Sequence, residues 1–113
     1  MRGAFVYEAE LKLDEGSDPS AVGAAVTTGL CGHWEHEGPC RWPHNNEIRR
    51  SGDAFTFRTL FVAAADDEPE VHARIAAALH GSEGWAVRAA RARPVAPSEE
   101  TLAERLARAP TSR

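Results

Sequence analysis

The stretch AFVYEAELKL, residues 4–13, alternates without interruption. Phe5, Tyr7, Ala9, Leu11 and Leu13 fall on one side, and Glu8, Glu10 and Lys12 on the other. A period of two over this length means a strand with one buried face. The segment DEGSDPS that follows reads as a turn, with Asp18 and Pro19 supplying a helix cap and a first-turn proline. Val22, Val26 and Leu30 then recur at helical spacing, and Gly29 or Gly32 is expected to end that helix.

Further along, NEIRR reads as a short strand and SGD as a hairpin turn. AFTFRTLFVAA reads as a long strand with Phe55, Phe57 and Phe61 on one face. DDEPEVHARIAAALHG opens with acids and a proline, carries a Val71, Ile75, Leu79 stripe and closes at Gly81, which together indicate a helix. GWAVRAARA reads as a last strand. Ser98 is expected to cap a short helix carrying Leu102 and Leu106, and the final residues to fray. The order β-α-β-β-α-β implies an α+β chain with a ferredoxin-like split βαβ sheet, strand order 4-1-3-2, both main helices on one face. Residues 1–97 would form that domain, with a Cys/His-rich loop at 31–46, and residues 98–113 a C-terminal helix and tail.

At 113 residues the chain has room for one domain. Its net charge of -4 argues against nonspecific binding to nucleic acid or to an anionic membrane surface. No run approaches the ~20 apolar residues needed to cross a bilayer. MRGAFVYEAELKL has the wrong pattern for a secretion signal, because its apolar residues alternate with charges. Lys12 is the only lysine, and together with the abundant alanine this suggests a GC-rich bacterial source. The expected location is cytoplasmic and reducing, where a cysteine pair is more often a metal or redox site than a structural disulfide.

The chemistry is concentrated in CGHWEHEGPCRWPHNN, residues 31–46, which holds both cysteines, three of five histidines and two of three tryptophans. Cys31, His33, His36, Cys40 and His44 offer thiolate and imidazole donors, the set that zinc or another borderline transition metal prefers. Their spacing matches no standard zinc-finger pattern. Cys31, His36, Cys40 and His44 would suffice for a tetrahedral site, with His33 beside it. Two other readings stay open. Cys31 and Cys40 could form a disulfide, closing a loop of about ten residues worth roughly 2.7 kcal/mol. The histidines could be ordinary loop residues and the tryptophans a small satellite core.

If the metal is catalytic, Glu35 or Glu37 would serve as acid/base. Arg41 would anchor an anionic group, while Trp34 and Trp42 wall the substrate from water. The leading expectation is therefore a zinc-dependent enzyme or accessory domain acting on a small polar or anionic metabolite. The alternatives are a zinc-stabilised module whose Trp/Arg loop contacts a protein or single-stranded nucleic acid, and a thiol-redox or metal-carrier protein. A homodimer is expected on general grounds. The topology brings Asp66, Asp67, Glu68, Glu70 and His72 to the loop's end of the sheet and sends His80 to the opposite pole.

Overall fold

The computed structural model describes residues 2–31 and 41–108. It contains β1 (Arg2–Leu13), α1 (Ser20–Cys31), β2 (His44–Ser51), β3 (Ala54–Ala64), α2 (Glu68–His80), β4 (Trp85–Arg93) and α3 (Glu100–Ala107). Single 3₁₀ turns at Ala65–Asp67 and Pro97–Glu99 lead into α2 and α3. The described residues thus form an α+β fold, with one four-stranded antiparallel sheet in the order β2-β3-β1-β4 and three helices. Counted from the β4 edge, the same order is β4-β1-β3-β2.

The alternation in β1 decides what lies where. Its odd-numbered side chains face α1 and α2, whose Val22, Val26, Leu30, Val71, Ile75 and Leu79 close over Ala9, Leu11, Phe57 and Phe61. The even-numbered side chains face the other way. At one end of that second face α3 covers Val6 and Leu60 with Ala103, flanked by Leu102 and Leu106. The β2–β3 hairpin turns on two residues, because Ser51 pairs with Ala54. Gly52 sits at φ +64° there, as the first central position of a type II′ hairpin requires.

Asp18 fulfils its expected role. Its carboxylate accepts the Ser20 backbone N–H at 2.9 Å, and that bond holds the Asp18 carboxyl below its ordinary range. One sequence expectation is narrowed and another corrected. Of the two glycines expected to end α1, Gly32 lies outside the described residues and Gly29 is ruled out, since the helix runs on to Cys31. Gly29 lies where α1 packs tightly on α2: a Cβ there would lie 3.2 Å from the Ala78 Cβ and 3.4 Å from the Arg74 carbonyl. Nor does Ser98 cap α3. Ahead of it, the Glu99 carboxylate accepts the Ala96 backbone N–H at 2.8 Å, so the turn is closed from the acidic side chain.

That same Glu99 ties α3 to the sheet. Arg58, on the face opposite the phenylalanines of β3, donates from Nε and Nη2 to the two Glu99 oxygens at 2.8 Å each. Its Nη1 donates to Glu8 at 2.7 Å and its Nη2 to the Pro94 carbonyl at 3.1 Å. Arg58 and Glu99 are 19% and 16% exposed, so this fork-to-carboxylate pair is well shielded from water. The Arg58 hydrogen bond pulls the Glu99 carboxyl below its ordinary value of 4.5, and the guanidinium is held all the more firmly protonated.

Two stability predictions follow from these contacts. Gly29→Val should destabilise the protein by about 1–3 kcal/mol in urea melts, since the helices would have to part. Glu99→Gln should cost about 1–3 kcal/mol at about pH 7. Because the folded Glu99 titrates below its unfolded value, its contribution is complete above that value and vanishes as pH falls through the folded one. Melts taken to progressively lower pH below 4.5 should therefore narrow the gap between variant and wild type.

Candidate metal and thiol site at the foot of the loop

The expected cluster is not one continuous loop. Cys31 is the last residue of α1 and His44 the first of β2, so two of the five proposed donors stand on regular elements. Cys31 Sγ lies 4.0 Å from His44 Nδ1. His33, Trp34, Glu35, His36, Glu37 and Cys40 lie outside the described residues. Among the described residues no group of three potential ligands gathers in one place. Cys31 is disulfide-bonded.

His44 is held by a directed chain of hydrogen bonds that the sequence did not advertise. Its Nδ1 is 3.0 Å from the Trp42 carbonyl, which can only accept, so Nδ1 carries a proton. In the neutral ring Nε2 must then accept, and the Thr27 hydroxyl is 3.1 Å away to donate. Thr27 Oγ1 in turn accepts from Asn46 Nδ2 at 3.1 Å, which also donates to the Gly23 carbonyl. That fixes the amide so that Asn46 Oδ1 accepts the Thr59 hydroxyl at 3.0 Å. Thr27 and Thr59 are buried, at 6% and 0% exposure, so each link satisfies a group that water does not reach.

Parity in β2 could have revealed this network. His44, Asn46 and Ile48 share the face that opposes Phe61, Thr59 and Phe57, so two polar residues point toward the helices. Thr27 was hidden because it lies beside the Val22, Val26, Leu30 stripe and was not read as part of it.

Arg41 and Trp42 are drawn to the start of α2, as the topology implied for Asp67 and Glu70. Trp42 is 2% exposed and belongs to the main core, so in this structure its ring offers no open face to a ligand. Its Nε1 donates to Asp67 at 3.4 Å. The guanidinium carbons of Arg41 and Arg74 lie 4.4 and 4.9 Å from the centre of its ring. Arg41, about half exposed, reaches Asp67 at 3.8 Å and Glu70 at 3.9 Å, distances that leave its donors only loosely engaged. Arg74 bonds Glu70 more tightly, at 3.0 Å.

His72 stands apart from the Cys31–His44 pair. It packs on Tyr7 with ring centres 5.1 Å apart and meets the Phe61 ring edge-on at 5.7 Å. Phe61 is the residue paired with His44 across the sheet, so an aromatic ring belongs to both surroundings. His72 Nε2 is buried with no hydrogen bond, although Glu68 approaches to 3.4 Å. Burial pushes the neighbouring Tyr7 phenol up from its ordinary value.

The network yields a direct test. Asn46→Leu should destabilise the fold by about 1–3 kcal/mol, because Thr27, Thr59 and the Gly23 carbonyl all lose a partner. Nitrogen-15 shifts of the wild-type His44 ring in metal-free protein should report the Nδ1–H tautomer. No family model, curated protein or solved structure matches the chain, so the residues themselves carry any reading of its function.

Proposed function

We propose that this protein binds one transition metal ion, zinc foremost, through the reduced Cys31 thiolate and His44 Nδ1, with the remaining ligands drawn from His33, His36 and Cys40. The observation that carries this reading is the 4.0 Å approach of Cys31 Sγ to His44 Nδ1 from two separate elements, at the foot of the segment holding every other candidate donor. Two ligands of one tetrahedral zinc ion, with bonds of about 2.3 Å to sulfur and about 2.0–2.1 Å to nitrogen, stand roughly 3.6 Å apart. The pair is within a few tenths of an ångström of that span. Cys31 also sits at the carbonyl end of a 12-residue helix, where the backbone dipole favours a cation.

The architecture is read as the ferredoxin-like split βαβ arrangement, in a protein of the cytoplasm. The finer reading is an enzyme or accessory domain acting on a small polar or anionic metabolite. A bound zinc ion would supply Lewis acidity. Glu35 or Glu37 would move protons, and Arg41, half exposed at the edge of the loop, would meet the anionic group. Trp42 takes the part of support, holding Arg41 over its ring.

A second reading, thiol redox chemistry, is favoured by the disulfide at Cys31. The oxidised pair cannot supply thiolates, so the disulfide and metal-bound forms exclude one another.

Metal analysis of reduced and oxidised protein separates these readings. The reduced form should retain about one zinc per chain and the oxidised form none. On metal binding the His44 ring should switch to Nε2–H, donating to Thr27, because Nδ1 is taken by the ion. Reduced protein that binds no zinc and keeps the Nδ1–H tautomer would sink the metal reading and leave the thiol pair.

A further inference from the structure

We propose that the outer edge of β4 is a docking site for an extended segment of another protein in which apolar and acidic residues alternate. β4 is an edge strand: β1 pairs with its inner side, and among the described residues nothing pairs with its outer side. Residues 88–94 are exposed throughout, on both faces of the sheet. An open edge of this kind presents unpaired backbone donors and acceptors to any chain that can lie alongside.

The side chains of β4 specify what such a chain would look like. Arg91 and Arg93 lie on the face shared with Glu8, and Arg88 reaches Glu10 at 3.8 Å. No acidic residue occurs between Trp85 and Ser98. Arg93 approaches Glu8 at 3.9 Å, whereas Arg91 forms no ion pair among the described residues even though Glu8 is its partner in register. On the opposite face Ala90 and Ala92 pair with Ala9 and Tyr7, forming a shallow apolar shelf beside the helix layer. A strand added outside β4 would therefore set acidic side chains beside the arginines and apolar ones over the alanine shelf.

The chain already contains one strand that satisfies β4 in this way, which is β1. Its Glu8 approaches Arg93 and its Glu10 approaches Arg88, which also meets Asp53, while Tyr7, Ala9 and Leu11 lie on the other face. The inner edge of β4 is thus a worked example of the partner that the outer edge would accept. A second copy of β4 would fit less well, because it would bring two arginine-rich strands together, and like charges side by side are destabilising.

The probe is a synthetic peptide of residues 4–13, AFVYEAELKL, acetylated and amidated, titrated into the isotope-labelled full chain. Binding should shift the backbone amides of residues 88–93 and leave those of β3 in place. Methylating alternate peptide nitrogens on one edge should abolish binding, since charge is kept and the strand ladder is lost. Arg91→Glu should weaken binding by roughly tenfold or more, and Arg91→Gln by less. Several outcomes overturn the proposal: no binding, equal binding of the methylated peptide, or shifts spreading through β1 and β3 as the peptide displaces its own counterpart. Self-association of the chain through β4 at the concentrations used would also overturn it, by naming a second copy as the occupant. In that case the arginines would serve to limit pairing and not to invite it.

Discussion

Everything in this molecule is arranged by the two-faced pairing of β1 inside the sheet. With β3 on one side and β4 on the other, its register cannot slip by one residue without exchanging Tyr7, Ala9 and Leu11 for Glu8, Glu10 and Lys12. One face is therefore committed to α1 and α2. The other is covered by α3 only around Val6 and Leu60, and beyond that helix it is given over to charge. Arg58 joins the covered and charged regions. It stands on the same face as Leu60 and spends its fork on Glu99 and Glu8, so the helix is fastened at the boundary of its own apolar patch.

This constraint explains why the elements were legible in the sequence. The odd-numbered apolar residues of β1 and the Phe55, Phe57, Phe61 series of β3 are long enough to fix strand type and face. The Val71, Ile75, Leu79 stripe does the same for α2. Details that depend on contacts between distant segments were not legible. Gly29 looks like a helix terminator when read locally, yet its missing side chain admits Ala78 of another helix. Ser98 looks like a cap, but the carboxylate of Glu99 closes the turn because Arg58 has already oriented it. Local chemistry suggested each role, and a partner far along the chain reassigned it.

The Cys/His segment shows the same division. Its unusual composition was plain from the sequence, whereas the placement of its end residues was not. His44 was read as one donor among five in a loop, and it is a strand residue whose ring is oriented by the Trp42 carbonyl and Thr27. Trp42 was read either as a wall for a ligand or as part of a small core at the end of the sheet, and it completes the core under two arginines. Both results come from the return of the chain into β2, which draws residues 41–44 against α1 and the start of α2. A residue's chemical type is visible in the sequence, but the competition between core and site for that residue is decided only by packing.

The same sheet order keeps the two proposed activities apart. The Cys31–His44 pair sits beside β2, at one edge, while the arginines of β4 line the other. Three strand spacings of about 4.8 Å put these edges roughly 14 Å apart, beyond the screening length of about 8 Å in physiological salt. Charge changes on β4 therefore have little electrostatic reach to the metal and thiol site. The network from His44 ends at Thr59 in β3, whereas β4 contacts β1 along its length, α2 through the Trp85 indole and the β2–β3 turn through Arg88 and Asp53. Reduction or metal binding at the β2 edge would act first on α1 and the polar chain behind it. A strand partner at the β4 edge would meet a backbone already held in register by β1.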